Sequence, residues 1–261
     1  MPQNMTKRTK IICTIGPSTE DFNSIKKLYE AGMNVARLNM SHCDHKTAKK
    51  IISRIKKLNG QIEHPVGILL DTQGPEIRTG DTSQVVDLEP GQLVSFTIRD
   101  EIDVETTSIR VNYDELIESV KVGTLITLDN GLLNFKVLKK TENELECRVL
   151  DGGKLGSKRH VNLPGIRINL PSITEKDKVD ISFGLKQDVD FIALSFVRDL
   201  SDISDLERLI KRQRKKVKII SKIEDREGLS NISDICSASD AVMVARGDLG
   251  IETDLSNLPN I

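Results

Sequence analysis

Val35-Ala36-Arg37-Leu38-Asn39-Met40-Ser41 alternates in character, with Arg37, Asn39 and Ser41 on one side and Ala36, Leu38 and Met40 on the other. Successive side chains of a β-strand point to opposite faces, so this is a strand with one apolar and one polar face. The apolar face suits helices packed outside a sheet, and the polar face then points inwards at the strand's C-terminal end. Three further runs end the same way. Ile68-Leu69-Leu70-Asp71-Thr72 closes on a polar pair. Ile219-Ile220-Ser221-Lys222-Ile223-Glu224 places Ile220, Lys222 and Glu224 on one face, and Val242, Val244 and Arg246 lead towards Asp248. A single such ending reads as a solvated strand end. Four with one logic point to a common site, because burying an unpaired Lys222 or Arg37 would cost several kcal/mol, about the whole stability of a domain.

Outward from this strand, the apolar runs begin near Lys10, Asn34 and Val66, and again near Val189, Val217 and Ala241, about 24 to 32 residues apart within each series. Helical patterns lie between them. Phe22, Ile25, Leu28 and Tyr29 share a helical face behind a capping-box variant over Ser18 to Asp21. Ala48, Ile51, Ile52, Ile55 and Leu58 repeat the pattern. Thr174 to Asp177 opens another helix, Leu200 to Ile210 lines a fourth, and Leu229, Ile232 and Ile235 line a fifth. Repeated βα units predict a parallel sheet with helices outside it, either a (β/α) barrel or a doubly wound sheet. No Gly-x-Gly-x-x-Gly follows the first strand, which lowers a dinucleotide-binding reading. From about Pro75 to Leu170 the helical period fades. Short β-rich pieces (Leu93–Ile98, Thr124–Leu128, Leu132–Leu138, Leu145–Val149) alternate with the turn signals Glu89-Pro90-Gly91, Asp129-Asn130-Gly131 and Asp151-Gly152-Gly153, so an all-β domain is expected inside the βα series.

Composition removes whole classes of function. The 261 residues carry 38 Lys plus Arg against 39 Asp plus Glu, a net charge of −1 that supplies no field for nucleic acid or an anionic membrane. There is no Trp and only two Tyr, a poor basis for stacking on bases. No apolar run approaches the roughly 18–20 residues that span a bilayer, and the opening Met1-Pro2-Gln3-Asn4-Met5-Thr6-Lys7-Arg8 lacks the apolar segment of a secretory leader. Cys13, Cys43, Cys147 and Cys236 are scattered without a CxxC pair, which fits a reducing, cytoplasmic setting rather than a disulfide or zinc scaffold. The basic run Lys211 to Lys218 reads as a solvated helix end rather than a binding patch.

The strand-end residues define a chemistry. Glu224 and Asp248 are expected at the ends of neighbouring strands, where two carboxylates suit Mg²⁺ or Mn²⁺ completed by water and substrate oxygens; structural salt bridges are the competing reading. Arg37, Arg78, Lys176 and Lys222 are cations that can meet at one anionic ligand. Cations plus a metal are what phosphoryl transfer needs. The pair His42 and His45 is a weak metal motif outside a clear helix.

Together these stretches resemble the pyruvate kinase family from first strand to last. Lys10-Ile11-Ile12-Cys13-Thr14-Ile15-Gly16-Pro17 resembles its opening strand, Ala36 to His42 its second, and Asp71 to Gly80 its hinge into the inserted domain. Asn162-Leu163-Pro164-Gly165, Leu170-Pro171 and Glu175-Lys176-Asp177 resemble the return. Ile219 to Glu224 is similar to the family signature, and Met243 to Gly250 to its metal strand. The resemblance implies a (β/α)8-type barrel, incomplete at about six strands, with an inserted all-β domain: residues 1–74 the first barrel part, 75–170 a lid, 171–261 the second. It implies phosphoryl transfer from phosphoenolpyruvate to ADP, giving pyruvate and ATP, the last step of glycolysis. Lys222 and Arg37 would be catalytic, and Arg37, Lys222, Gly247 and Asp248 would bind phosphoenolpyruvate. Asn39, His42, Arg78 and Lys176 would bind the nucleotide, Glu224 and Asp248 the Mg²⁺ or Mn²⁺, and Asn39, Ser41, Asp71 and Thr72 a K⁺. Members with Glu at the place of Glu76 tend to need potassium. The complete family forms homotetramers, an expectation weaker for this stretch.

Gln73, Cys43 and Asp225 depart from the family's usual Lys, Gly and Asn, which touches loop geometry rather than implied ligands. The family's barrel has eight strands, and this stretch reaches Ile261 just after the sixth. A poor enzyme on its own is therefore expected, with turnover at least ~100-fold below a complete homologue. The alternatives are a non-catalytic or weakly nucleotide- or metal-binding fragment, and another metal-dependent keto-acid barrel enzyme.

Overall fold

The computed structural model describes residues 8–82, 84–98, 107–166 and 168–253. The expectations on Met1 to Lys7 and on the run to Ile261 lie outside the described residues. In chain order the elements are β1 (Ile11–Thr14), α1 (Phe22–Glu30), β2 (Met33–Asn39), α2 (His45–Asn59), β3 (Gly67–Asp71), β4 (Val86–Leu88), β5 (Leu93–Thr97), β6 (Thr107–Arg110), α3 (Leu116–Ser119), β7 (Leu125–Leu128), β8 (Leu133–Lys140), β9 (Glu144–Asp151), β10 (Gly153–Leu155), β11 (Val161–Asn162), α4 (Glu175–Lys186), β12 (Phe191–Leu194), α5 (Leu200–Arg212), β13 (Lys218–Ile223), α6 (Arg226–Ser230), α7 (Ile232–Ala238), β14 (Ala241–Val244) and α8 (Arg246–Glu252).

The six strands read from the βα spacing form one sheet in the order β1-β2-β3-β12-β13-β14. Neighbours from β1 to β13 pair parallel, as a right-handed succession of βα units requires. This is the six-stranded part of a (β/α) barrel. The period-two reading of β2 holds: Ala36, Leu38 and Met40 are buried. Leu69, Ala193 and Ile220 cluster with Val35, Phe191 and Met243. The helices bury single stripes, Ile51, Ile52, Ile55 and Leu58 on α2 and Ile203, Leu206 and Ile210 on α5. Their starts are capped by Asp44 on α2, Asp199 on α5 and the reciprocal Thr174–Asp177 box on α4, each worth about 1 kcal/mol. Two helix expectations need correction. Asp21, not Ser18, caps α1, accepting from the amides of Asn23 and Ser24, because Gly16 and Thr19 hold the residues before it in their own turn. The fifth helix is two short ones, α6 and α7, divided at Asn231, whose side-chain amide donates to the Arg198 carbonyl.

Two compact units divide the chain. Among the described residues, one holds 8–75, 171–223 and 231–243; the other holds those within 76–170, 224–230 and 244–253. In the second, residues 76–170 build a mostly antiparallel sheet ordered β11-β7-β8-β9-β5-β6, with β4 paired to β10. Its core runs through Val94, Phe96, Ile126, Phe135, Leu145 and Val149, and Phe96 meets Phe135 edge-on at 5.1 Å. Asp129, Asn130 and Gly131 all take positive φ in the β7–β8 connection, which Asp-Asn-Gly tolerates and β-branched residues do not. The short strands β4, β6, β10 and β11 and the one-turn helix α3 carry too few residues for a readable period.

Candidate active site

Each unit gathers part of the predicted chemistry. In the first, the register sets Asn39 opposite Asp71, so the polar ends of β2 and β3 stand side by side. Asp71 is fully buried. Its Oδ2 accepts from Arg37 Nε at 2.6 Å, with Arg37 Nη2 at 2.5 Å, while Arg37 Nη1 donates to Thr14 Oγ1. Lys222 Nζ stands 3.1 Å from Asp71 Oδ1, yet among the described residues no hydrogen bond is aligned on that oxygen. The ammonium is instead well aligned on Ser195 Oγ at 2.7 Å. Ser195 in turn donates to the Thr72 carbonyl, and its amide donates to Thr72 Oγ1. Two cations from separate strands thus converge on one buried carboxylate, the arrangement that burial of charge demands.

The bend after β2 is held by Asn39, whose Oδ1 accepts from the Ser41 amide and whose carbonyl accepts from the His42 amide. Lys176, from the first turn of α4, donates to the Met40 carbonyl at 2.8 Å and to Asp180 Oδ2 at 2.7 Å. Asp177, also fully buried, accepts from the amides of Gln73, Gly74 and Thr174 and from the Thr174 hydroxyl. One carboxylate therefore ties the chain leaving β3 to the chain entering α4. Gly74 has φ +76°, and a Cβ there would lie 2.8 Å from Ser195 Cβ, so no other residue fits.

In the second unit, Arg78 pairs with Glu76 through Nε and Nη2 and donates to the Lys158 carbonyl. Glu224 follows β13 directly and is 2% exposed. Asp248 corrects the expectation of a strand end: it sits in the first turn of α8, because the chain turns helical at Arg246. Its Oδ1 is 3.8 Å from His160 Nδ1. Burial pulls the His160 pKa below the usual histidine value, and Asp248 and Glu76 oppose that shift. Among the described residues, nothing lies within 4 Å of a Cβ built on Gly247. Further along α8, Glu252 accepts from the Gly165 amide, and burial raises its pKa.

The histidine pair does not form a metal site. His45 Nε2 lies 2.6 Å from Asp180 Oδ1 and its ring stacks on Phe183. Among the described residues no three His, Cys, Asp or Glu side chains converge on one point, so Glu224 and Asp248 would need water and substrate oxygens to complete a metal shell, as Mg²⁺ prefers. Asn39, Ser41, Asp71 and Thr72 all carry side-chain oxygens, and Asp71 Oδ1 faces the Lys222 ammonium at 3.1 Å. Ser195 and Thr14 escaped the sequence reading. Each is a single polar residue that closes or follows an apolar run, a signal too common at strand ends to mark a site.

Comparison with known proteins matches residues 6–261 to the family model for the pyruvate kinase barrel domain. The chain is 46% identical over 255 residues to plastidial pyruvate kinase 2 of Arabidopsis thaliana, covering 97% of this chain and 44% of the relative. It is 45% identical to pyruvate kinase isozyme G, chloroplastic, of Nicotiana tabacum, covering 98% and 46%, and 44% identical to pyruvate kinase of Staphylococcus aureus, covering 98% and 44%. The chain spans about half the length of the curated relatives it matches.

Proposed function

Because the chain belongs to the pyruvate kinase family, we propose that it carries a phosphoryl-transfer site that moves the phosphoryl group of phosphoenolpyruvate to ADP, yielding pyruvate and ATP. The observation that carries this reading is the convergence of Arg37 and Lys222 on Asp71. In this role Arg37 binds the phosphate of phosphoenolpyruvate. Lys222, held by Ser195, faces the charge that builds on the phosphoryl oxygens in the transition state, where a fixed cation is worth most. Asp71 keeps both cations in register. Backbone around Gly247 and Asp248 helps seat the substrate, and Asn39, His42, Arg78 and Lys176 take the nucleotide. Glu224 and Asp248 would hold Mg²⁺ or Mn²⁺, which when bound neutralises phosphoryl and carboxylate oxygens. Asn39, Ser41, Asp71 and Thr72 would hold K⁺. Glu76, occupied by Arg78, supplies no cation of its own in place of that ion. Residues 75–170, which in chain order interrupt the barrel parts 1–74 and 171–261, would serve as a lid that excludes water competing for the phosphoryl group. Action in the cytoplasm fits the free thiols; among the described residues no helix is long and apolar enough to cross a membrane.

The test is a lactate-dehydrogenase-coupled assay with phosphoenolpyruvate, ADP, Mg²⁺ and K⁺. Glu224→Gln keeps the shape and removes one ligand charge, so pyruvate formation should fall at least ~10²-fold, and omitting K⁺ should also slow the wild type. Full activity of Glu224→Gln at ordinary Mg²⁺ would contradict the metal assignment, and equal turnover without potassium would contradict the ion site.

A further inference from the structure

We propose that Asp180 and His45 form a positioning pair that aims the Lys176 ammonium at the phosphates of a nucleoside diphosphate. This rests on the reading of Lys176 as a nucleotide residue and adds two groups to it. The Lys176 side chain is half exposed, and a lysine in that position ordinarily keeps its rotamer freedom. Here the ammonium is fixed from two sides, by the Met40 carbonyl and by Asp180 Oδ2. The Met40 carbonyl belongs to the same bend as Asn39 and His42, so the charge is set beside two of the groups assigned to the nucleotide.

An exposed i,i+4 lysine–aspartate pair contributes little, but Asp180 is not exposed: its side chain is 5% accessible. Its second oxygen is taken by His45 Nε2 at 2.6 Å. That contact places the hydrogen on Nε2, so the imidazole donates and the carboxylate accepts on both oxygens. The imidazole is itself clamped, stacked on Phe183 with ring centroids 4.3 Å apart and planes 9° from parallel. His45 opens α2, whereas Asp180 and Phe183 lie on α4. The pair therefore locks the start of α2 to α4, and through Lys176 locks both to the end of β2. A cation already fixed towards its ligand loses less freedom on binding, and a displacement of about 1 Å can cost ~10²-fold in rate.

A purely structural pair would lower stability and weaken both substrates alike. A positioning pair changes the nucleotide alone. The experiment measures Mg-ADP and phosphoenolpyruvate binding to the 261-residue chain by titration calorimetry, with thermal melts alongside. We expect Asp180→Asn to weaken Mg-ADP by ~10-fold or more, and His45→Ala by ~3–10-fold. His45→Gln, which keeps an N–H donor, should recover to within ~2-fold, and phosphoenolpyruvate affinity should move less than ~2-fold throughout. Phe183→Leu, which removes the stack but no polar group, serves as the second variant should Asp180→Asn fail to fold, and it should weaken Mg-ADP without altering phosphoenolpyruvate. Unchanged Mg-ADP affinity in Asp180→Asn or in Phe183→Leu, or equal losses for both substrates, would overturn the pair's role while leaving the site reading standing. A wild type that binds no Mg-ADP would overturn the site reading and the inference with it.

Discussion

Between residues 76 and 170, the buried polar side chains among the described residues are Thr79, Ser95, Thr97, Thr127 and Asn162, all neutral; along the parallel sheet and its helices they include Asp71, Asp177, Asp180, Asp202 and Lys222. Both regions bury a substantial apolar core, so the difference is not one of packing. A buried charge needs a partner, and the partners sort the carboxylates into kinds. Asp177 and Asp202 gather no distant cation: Asp177 completes a capping box and accepts from the Gln73 and Gly74 amides, and Asp202 pairs with Arg198 four residues earlier. Asp71 draws its cations from β2 and β13, 34 and 151 residues away in the sequence. A carboxylate held only by backbone amides and hydroxyls, or by one neighbouring arginine, is structural. Cations brought together from distant strands mark a place where the fold gives up stability for chemistry.

The comparison breaks first at Asp71. Asp71→Asn removes the charge that Arg37 and Lys222 share, and the account expects a loss of about 3–5 kcal/mol in urea unfolding. A loss no greater than that of a neutral substitution among residues 76–170 would erase the distinction between the two regions.

A smaller effect at Glu252 sharpens it, because here a carboxylate lies partly buried in the unit that holds residues 76–170. Burial raises its pKa, outweighing the hydrogen bond from Gly165. A raised carboxyl favours the folded state when protonated and loses that contribution as pH rises through its folded value. Glu252→Gln should therefore raise Tm at pH 7.5, by a margin that shrinks as pH falls through the ordinary glutamate range. A drop in Tm at pH 7.5 would show that the ionised group is stabilising after all.

The smallest effect belongs to Thr127, whose buried hydroxyl has no hydrogen-bond partner among the described residues. Thr127→Val keeps the shape and removes an unsatisfied group, so stability should hold or rise by about 1 kcal/mol. A loss beyond that in chemical denaturation would mean the hydroxyl is satisfied in solution.

Much of this contrast is legible in the sequence, for physical reasons. Period two in Val35 to Ser41 and in Ile219 to Glu224 announces a polar inner face, and βα spacing announces the parallel sheet. The pairing of Asp71 with Lys222, and of Asp180 with His45, is not legible, because it depends on strand order and helix docking rather than on neighbours in the chain. Asp248 reads as a strand-end residue because Val242 and Val244 alternate up to it, whereas the helix that holds it begins at Arg246. Ser195 was hidden by being a single polar residue after Phe191-Ile192-Ala193-Leu194, a pattern that any buried strand can show at its end.

Phosphoryl transfer is the role proposed for buried Lys222 and half-buried Arg37 of the parallel sheet. The most direct measurement follows the phosphorus signals of phosphoenolpyruvate and ADP by NMR, in Mg²⁺ and K⁺, for the wild type and for Lys222→Met, with circular dichroism confirming that both are folded. The account predicts that the phosphoenolpyruvate signal is lost as ATP signals grow in the wild type, and that this transfer is slower by at least ~10²–10³-fold in Lys222→Met. Transfer at the same rate in folded Lys222→Met, or no transfer above that variant's background in the wild type, would contradict it.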